Sequence, residues 1–218
     1  MPLNAANQVI HSVKKCDLSG SVDFPDLVFY KFLGFLFGKW LYIAVNTPTM
    51  VSIAKLTDVE MINQLVNSAY RGDSSRRGWT TEADLLDGAR VVPEAIISLI
   101  EKPGSVILLF RDDRQEILGC VNLQEKEGLL YFGMFAVDPQ CQGRGIGKKL
   151  LFAAEEFARS RGIRVIQMTV ISVRDELIAW YKKYGFQDTG IREPFPPPHP
   201  DSGIPRSPLE FMVLEKSI

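Results

Sequence analysis

Val137-Asp-Pro-Gln-Cys-Gln-Gly-Arg-Gly-Ile-Gly-Lys-Lys-Leu150 is the stretch that decides how this chain folds. It follows an apolar run, Leu129–Val137, that predicts a strand, and Asp138-Pro139 ends that strand because proline cannot continue a ladder. Beyond it Leu150, Leu151, Ala154, Phe157 and Ala158 share one face of a predicted long helix, from about Arg144 to Ser160, which Gly162 ends. At the junction Gly143, Gly145 and Gly147 allow backbone N–H groups to approach a ligand with no side chain in the way. Amides at a helix N-terminus favour an anion. Arg144, Lys148 and Lys149 crowd the same turn, where each positive charge costs the helix about 0.3–1 kcal/mol. A bound polyphosphate turns that penalty into attraction.

Working outward, Val51–Lys55 alternates as a half-buried strand does. Thr57 or Asp58 can cap a helix with Val59, Ile62, Leu65, Val66 and Ala69 at helical spacing. Arg71 to Gly78 reads as a loop, Thr81 as the cap of a short helix through Leu86, and Pro93 as the opening of another through Ile100. Ser105–Arg111, Glu116–Gln124 and Leu129–Val137 form an antiparallel meander. After the long helix come a strand, Val165–Ile171, a helix, Asp175–Tyr184, and a strand beginning at Gln187–Ile191. Pro194 to Pro208 reads as an irregular proline-rich loop, and Leu209–Glu215 as a final strand. The order predicts a mixed α/β architecture, a largely antiparallel sheet with one strand–helix–strand crossover.

The chain's 218 residues suit one domain with an extension, divided here as 1–49 and 50–218. A formal net charge of −1 gives no long-range pull towards nucleic acid or an anionic membrane. Cys16, Cys120 and Cys141 are too scattered for a disulfide framework, and with only His11 and His199 beside them no metal site is expected. Free thiols in the cytoplasm follow. Leu27–Val45 is nearly as long as a membrane span but is interrupted by Lys31 and Lys39. An apolar anchor, a packed helix or strand, and a true start at Met50 all stay open, with membrane contact through 27–45 not favoured.

The glycine loop lacks the Gly-Lys-Ser/Thr ending of a triphosphate P-loop and the full pattern of a dinucleotide fold. Gln142-x-x-Gly145-x-Gly147 instead resembles the Q/R-x-x-G-x-G/A signature of the GNAT acetyltransferases. Gly133–Val137 before it resembles that family's central strand, and Ala179-Trp-Tyr181-Lys-Lys-Tyr-Gly185-Phe186 its F-Y-x-x-x-G-F ending. The resemblance covers roughly Val51 to Lys216 and implies the GNAT (acyl-CoA N-acyltransferase) fold.

It also implies an acetyl-CoA-dependent N-acetyltransferase that moves an acetyl group to a primary amine in a ternary complex. Phe135, Ala136, Val137, Gln142, Gly143, Arg144, Gly145, Ile146, Gly147 and Lys148 would hold the cofactor. The backbone of Phe135 and Val137 would pair with its pantetheine arm, and the amide of Phe135 or Ala136 would face the developing oxyanion. Tyr181 matches the tyrosine that protonates the departing thiolate, with Tyr184 its neighbour and competitor.

Two departures stand out. Arg174 replaces an asparagine common in the family, leaving open a phosphate grip, a substrate carboxylate or a solvent-facing role. Tyr131 replaces the usual base glutamate, so the base is unassigned, with Glu82, Glu127 or a water chain as candidates. Tyr70, Arg71, Trp79 and Glu82 lie where acceptor loops usually stand, and an Arg-rich loop with Tyr and Trp suits a planar or anionic acceptor. Arg192–Phe195 and Pro205-Arg206 are weaker candidates for the opposite wall. A small-molecule acceptor is expected, and a monomer or homodimer. The rival is a non-catalytic acyl-CoA-binding or regulatory module.

Overall fold

Val106 to Phe110 is an unbroken apolar run because its strand is covered on both faces. Ile107 and Leu109 enter one core cluster, Leu108 and Phe110 the other. The computed structural model describes residues 30–36, 39–44, 50–199 and 203–218. The chain divides into two compact units, Met1–Thr49 and Met50–Ile218.

In the first unit β1 (Tyr30–Leu36) and β2 (Lys39–Ala44) pair antiparallel, with a register shift between Phe32 and Gly34. The aromatic and β-branched content of both runs suits strands. Within Leu27–Val45 the described residues are these two strands; the rest of that stretch lies outside the described residues. No described helix is long and apolar enough to cross a membrane.

The second unit begins with β3 (Val51–Ile53) and α1 (Val59–Tyr70). The five apolar residues anticipated at helical spacing on α1 are its buried face. Asp58 gives no side-chain cap; its carboxylate accepts from Lys55 N–H at 2.9 Å and pairs with Arg111 at 2.7 Å. Next come α2 (Gly72–Ser75), β4 (Leu86–Asp87) and α3 (Pro93–Glu101). The meander is β5 (Ser105–Arg111), β6 (Ile117–Lys126) and β7 (Leu129–Val137). Glu127 and Gly128, both at positive φ, make the two-residue turn between β6 and β7. The chain closes with α4 (Ile146–Ser160), β8 (Val165–Ile171), α5 (Asp175–Lys183), β9 (Gln187–Pro194), β10 (Ile204–Pro205) and β11 (Glu210–Ser217).

Three expectations are corrected. No helix follows Thr81: its hydroxyl accepts from Ala83 N–H, and a single turn at Glu82–Leu86 gives way to β4. The proline-rich segment is not wholly irregular, since β10 pairs with β4 and His199 bridges Gly203. Pro205 can take part because a two-strand edge leaves its missing N–H without consequence. Arg71 to Gly78, expected as a loop, contains the short α2.

The main sheet runs β3-β5-β6-β7-β8-β11-β9. Every pairing is antiparallel except β7 with β8, and that one registers only at Leu130↔Ile166 and Tyr131↔Gln167. Beyond Tyr131 the two strands part. A register shift places Asn122 opposite Gly133 but Cys120 opposite Ala136, with Met134 between at φ 44°. Such a bulge bends its strand and strengthens the twist. Gly133–Val137 therefore pairs with β6 and has no strand on its β8 side. The cluster containing Leu150, Leu151 and Ala154 of α4 covers one face, and that of α1 and α3 the other.

Candidate functional site

Two clefts flank the parted strands. The first, of about 220 Å³, is bounded by the glycine loop, Phe135–Val137, Trp180 and Tyr181 of α5, and Tyr184 just beyond that helix. Gly145 caps α4 at φ 81° and Gly143 stands at φ 77°; a Cβ at either would meet nothing within 4 Å. Both thus combine a backbone that L side chains rarely adopt with open space for a ligand. Gly147 serves differently: a Cβ there would come 3.2 Å from Phe135 and 3.6 Å from Trp180. Its absence lets the first turn of α4 lie against those rings.

Helix α4 starts two residues later than expected, so Arg144 precedes it, exposed, and is not among the residues lining the cleft. Lys149 also turns away, its ammonium 5.1 Å from the centre of the Phe110 ring. Lys148 alone of the three cations lines the cleft. With no acidic residue in the first turn, the cradle fits a phosphate-bearing group. Gln142 lines the cleft but its amide is committed: Oε1 accepts from Trp79 N–H at 2.9 Å and Nε2 donates to Val137 C=O at 3.2 Å. Gly78 makes room, since a Cβ there would lie 2.5 Å from Gln142 Oε1. Trp79, expected on the acceptor side, stands half-exposed in this first cleft.

The second cleft, of about 710 Å³, lies on the other side. Tyr70, Phe135, Arg174, Leu177 and Tyr181 line both. Tyr70 donates its hydroxyl to Phe135 C=O at 2.8 Å, and burial pushes its phenol up to about 12. Tyr181 is 5% exposed, packed between Phe135, Trp180 and Phe186. Burial holds its phenol far above the ordinary range, with the neighbouring Tyr70 adding to the effect. Tyr184 stacks on Trp180 with ring centres 4.5 Å apart.

Neither candidate base is both uncommitted and in a cleft. Glu82 is buried, one oxygen 2.5 Å from Arg71 and the other 2.8 Å from Arg174. Both oxygens are thus committed to guanidiniums rather than turned to an incoming amine. Glu127 sits exposed at the β6–β7 turn and lines neither cleft. Tyr131, in place of the expected glutamate, shares a hydrogen bond with Thr169 at 2.8 Å.

Arg174 proves to be buried rather than solvent-facing, bonded to Glu82 and Thr80. Arg71 is drawn into the same ion pair and lines neither of the two clefts. Arg192 pairs with Asp188 and Arg206 with Asp87, and neither arginine lines either cleft. Cys141, in the glycine loop, keeps its proton, its pKa raised chiefly by burial. Among the described residues no cluster could hold a metal ion.

Sequence reasoning missed Arg90, Met168 and Phe211 of the second cleft. Arg90 follows a glycine-containing turn in an unremarkable stretch, and its placement depends on Asn67, whose side chain accepts from Arg90 N–H at 2.7 Å.

A sequence model of the acetyltransferase (GNAT) family matches residues 60–186. An uncharacterized N-acetyltransferase of Methanocaldococcus jannaschii is 36% identical over 70 residues, 32% of this chain and 30% of the relative. The N-alpha-acetyltransferase RimI of Mycobacterium tuberculosis is 43% identical over 56 residues, 26% of this chain and 34% of the relative. The matched segment thus spans about a third of each relative's length. The ribosomal-protein-S18-alanine N-acetyltransferase of Escherichia coli superposes with a TM-score of 0.58 at 15% identity, over 77% of this chain and 92% of that one. A GNAT-family acetyltransferase of Staphylococcus aureus gives 0.54 at 17%, over 77% and 97%. These structures share the fold. The chain belongs to the acetyltransferase (GNAT) family.

Proposed function

We propose, starting from that membership, that this chain moves the acetyl group of acetyl-CoA to a primary amine of a small molecule. Transfer is by direct attack within a ternary complex. The observation that carries this reading is the meeting of two clefts at Phe135 and Tyr181, where β7 has no strand on its β8 side. A donor held on one side and an acceptor on the other come within reach of each other there.

The amides around Gly143, Gly145 and Gly147, with Lys148, would hold the pyrophosphate. The backbone of Phe135, Ala136 and Val137 would take the pantetheine arm as a short extra strand. Two of its carbonyls already accept from Tyr70 and Gln142, and each keeps a second lone pair. Acetyl-CoA supplies the activated acetyl thioester. The N–H of Phe135 or Ala136 offers a hydrogen bond where negative charge develops on the carbonyl oxygen. Tyr181, kept protonated by burial, gives its proton to the thiolate as the C–S bond breaks.

Residues 50–218 form the transferase domain in this reading, with 1–49 an extension. The free thiols of Cys120 and Cys141 agree with a cytoplasmic setting. A second reading, an acyl-CoA-binding module without chemistry, is favoured by Glu82 having both oxygens committed. Thiol release from acetyl-CoA in the presence of a panel of primary amines separates the two. Amine-dependent release with recovery of the acetylated amine supports transfer; binding without release supports the module.

A further inference from the structure

The acceptor cleft has a marked charge. Among the described residues lining it, Glu82 is the sole acid, and Arg90, Lys102 and Arg174 stand against it. Both Glu82 oxygens are taken by Arg71 and Arg174, and the carboxylate of Glu176 stands 3.8 Å from Arg174 Nε. The side-chain N–H of Arg174, itself 94% buried, has no hydrogen-bond partner at Nε. Lys102 donates to the neutral amide of Gln124.

Arg90 is the better-placed cation. Its guanidinium lies 5.1 Å from the centre of the Tyr70 ring, and it forms no ion pair among the described residues. Asn67 holds its backbone N–H and Phe135 C=O holds the Tyr70 hydroxyl, so the guanidinium stands beside a ring that lines both clefts. A planar, pre-positioned guanidinium suits bidentate capture of a carboxylate. The remaining walls include Met134, Met168, Val170, Leu177 and Phe211, which suit an apolar body.

We infer that the acceptor is a small amine carrying an apolar body and a carboxylate, an amino acid in chemical type, with Arg90 gripping the carboxylate. This rests on the acetyltransferase reading above. It also supplies what the missing base leaves unexplained. A cationic cleft disfavours the ammonium form of a bound amine and so lowers its pKa. The first proton then leaves to solvent. The neutral nitrogen forms the N–C bond as the C–S bond breaks. The second proton balances the thiolate, leaving an N-acetyl amide and a free thiol. A cationic amine such as a polyamine would meet repulsion in the same place.

The test uses the full chain with acetyl-CoA and three probes: phenylalanine, phenylalanine amide and 2-phenylethylamine. The expected kcat/KM for phenylalanine is at least about tenfold above either analogue, since a site built to pair with a polar group rejects ligands that lack it. Arg90→Gln should bring that ratio near one, chiefly through KM. Arg90→Lys should recover part of it, keeping the charge without the fork. Acetyl-CoA affinity, measured by calorimetry, should be the same in all three proteins. Preference for a carboxylate-free probe, a ratio that survives Arg90→Gln, or acetyl-CoA binding with none of the probes acetylated would overturn the inference and leave the parent reading standing. Loss of acetyl-CoA binding in the wild-type protein removes both.

Discussion

The glycine loop and the segment from Tyr70 to Arg90 meet where Gln142 accepts from Trp79 N–H, yet they are built by different means. The first is a backbone device: positive φ at Gly143 and Gly145, open space above them, and the start of a helix behind. The second is a side-chain device, in which Glu82 joins Arg71 to Arg174, 92 residues further along the chain. A backbone device leaves its mark in local spacing. A side-chain device is visible only after folding has brought its parts together. The stability of the two should therefore respond differently to single substitutions.

Glu82→Gln attacks the second device alone. Removing the charge leaves two buried guanidiniums uncompensated, and the expected loss is about 3–5 kcal/mol in chemical denaturation. The remaining folded protein should still bind acetyl-CoA, because no part of the glycine loop is altered. A stability change below about 1 kcal/mol would show the cluster to be solvated rather than structural.

Tyr181→Phe removes one hydroxyl at the junction of the clefts. Turnover should fall by about 10²-fold, the range for a single general acid, with acetyl-CoA affinity kept. Unchanged turnover would give the proton to another donor, with Tyr184 next along the same wall.

Gly78→Ala probes the tie between the two regions. The new methyl displaces the Gln142 amide and breaks its bond to Trp79 N–H. A loss of about 1 kcal/mol is expected, with weaker acetyl-CoA binding. No effect on either would mean that the tie is dispensable.

The smallest effect is one of pH. An unfolded tyrosine ionises near 10, whereas Tyr70 in the fold does so at about 12, because burial penalises its charged form. Between those values the unfolded chain binds fewer protons than the folded one, so stability falls as pH rises from about 10 to about 12. Absorbance titration should show Tyr70 and Tyr181 as the late members of the six tyrosines. Complete ionisation by about pH 10.5 would contradict their burial.

Much of the sheet and the glycine loop was legible in the sequence, for a physical reason. Strand runs such as Ser105–Arg111 and Val165–Ile171, and the buried stripe of α1, are set by short-range periodicity. What local pattern could not show depends on distant partners. The turn after Thr81 fails to become a helix because Ile204–Pro205 takes Leu86–Asp87 as a strand. The bulge at Met134 needs the register of β6 against β7. Arg144 looked like a phosphate ligand by charge and position, but a helix start two residues later leaves it outside the cleft. Glu82 looked like a base until Arg71 and Arg174 took its oxygens.

In the proposed function the glycine loop holds the pyrophosphate of acetyl-CoA. The direct measurement is calorimetric titration of acetyl-CoA into the full chain, Gly145→Glu and Gly145→Ala. The alanine carries the same backbone strain at φ 81° without the negative charge. The account predicts binding of about micromolar strength in the wild-type protein, partial loss in Gly145→Ala and none in Gly145→Glu. Equal binding by all three, or no binding by the folded wild-type protein, would contradict it.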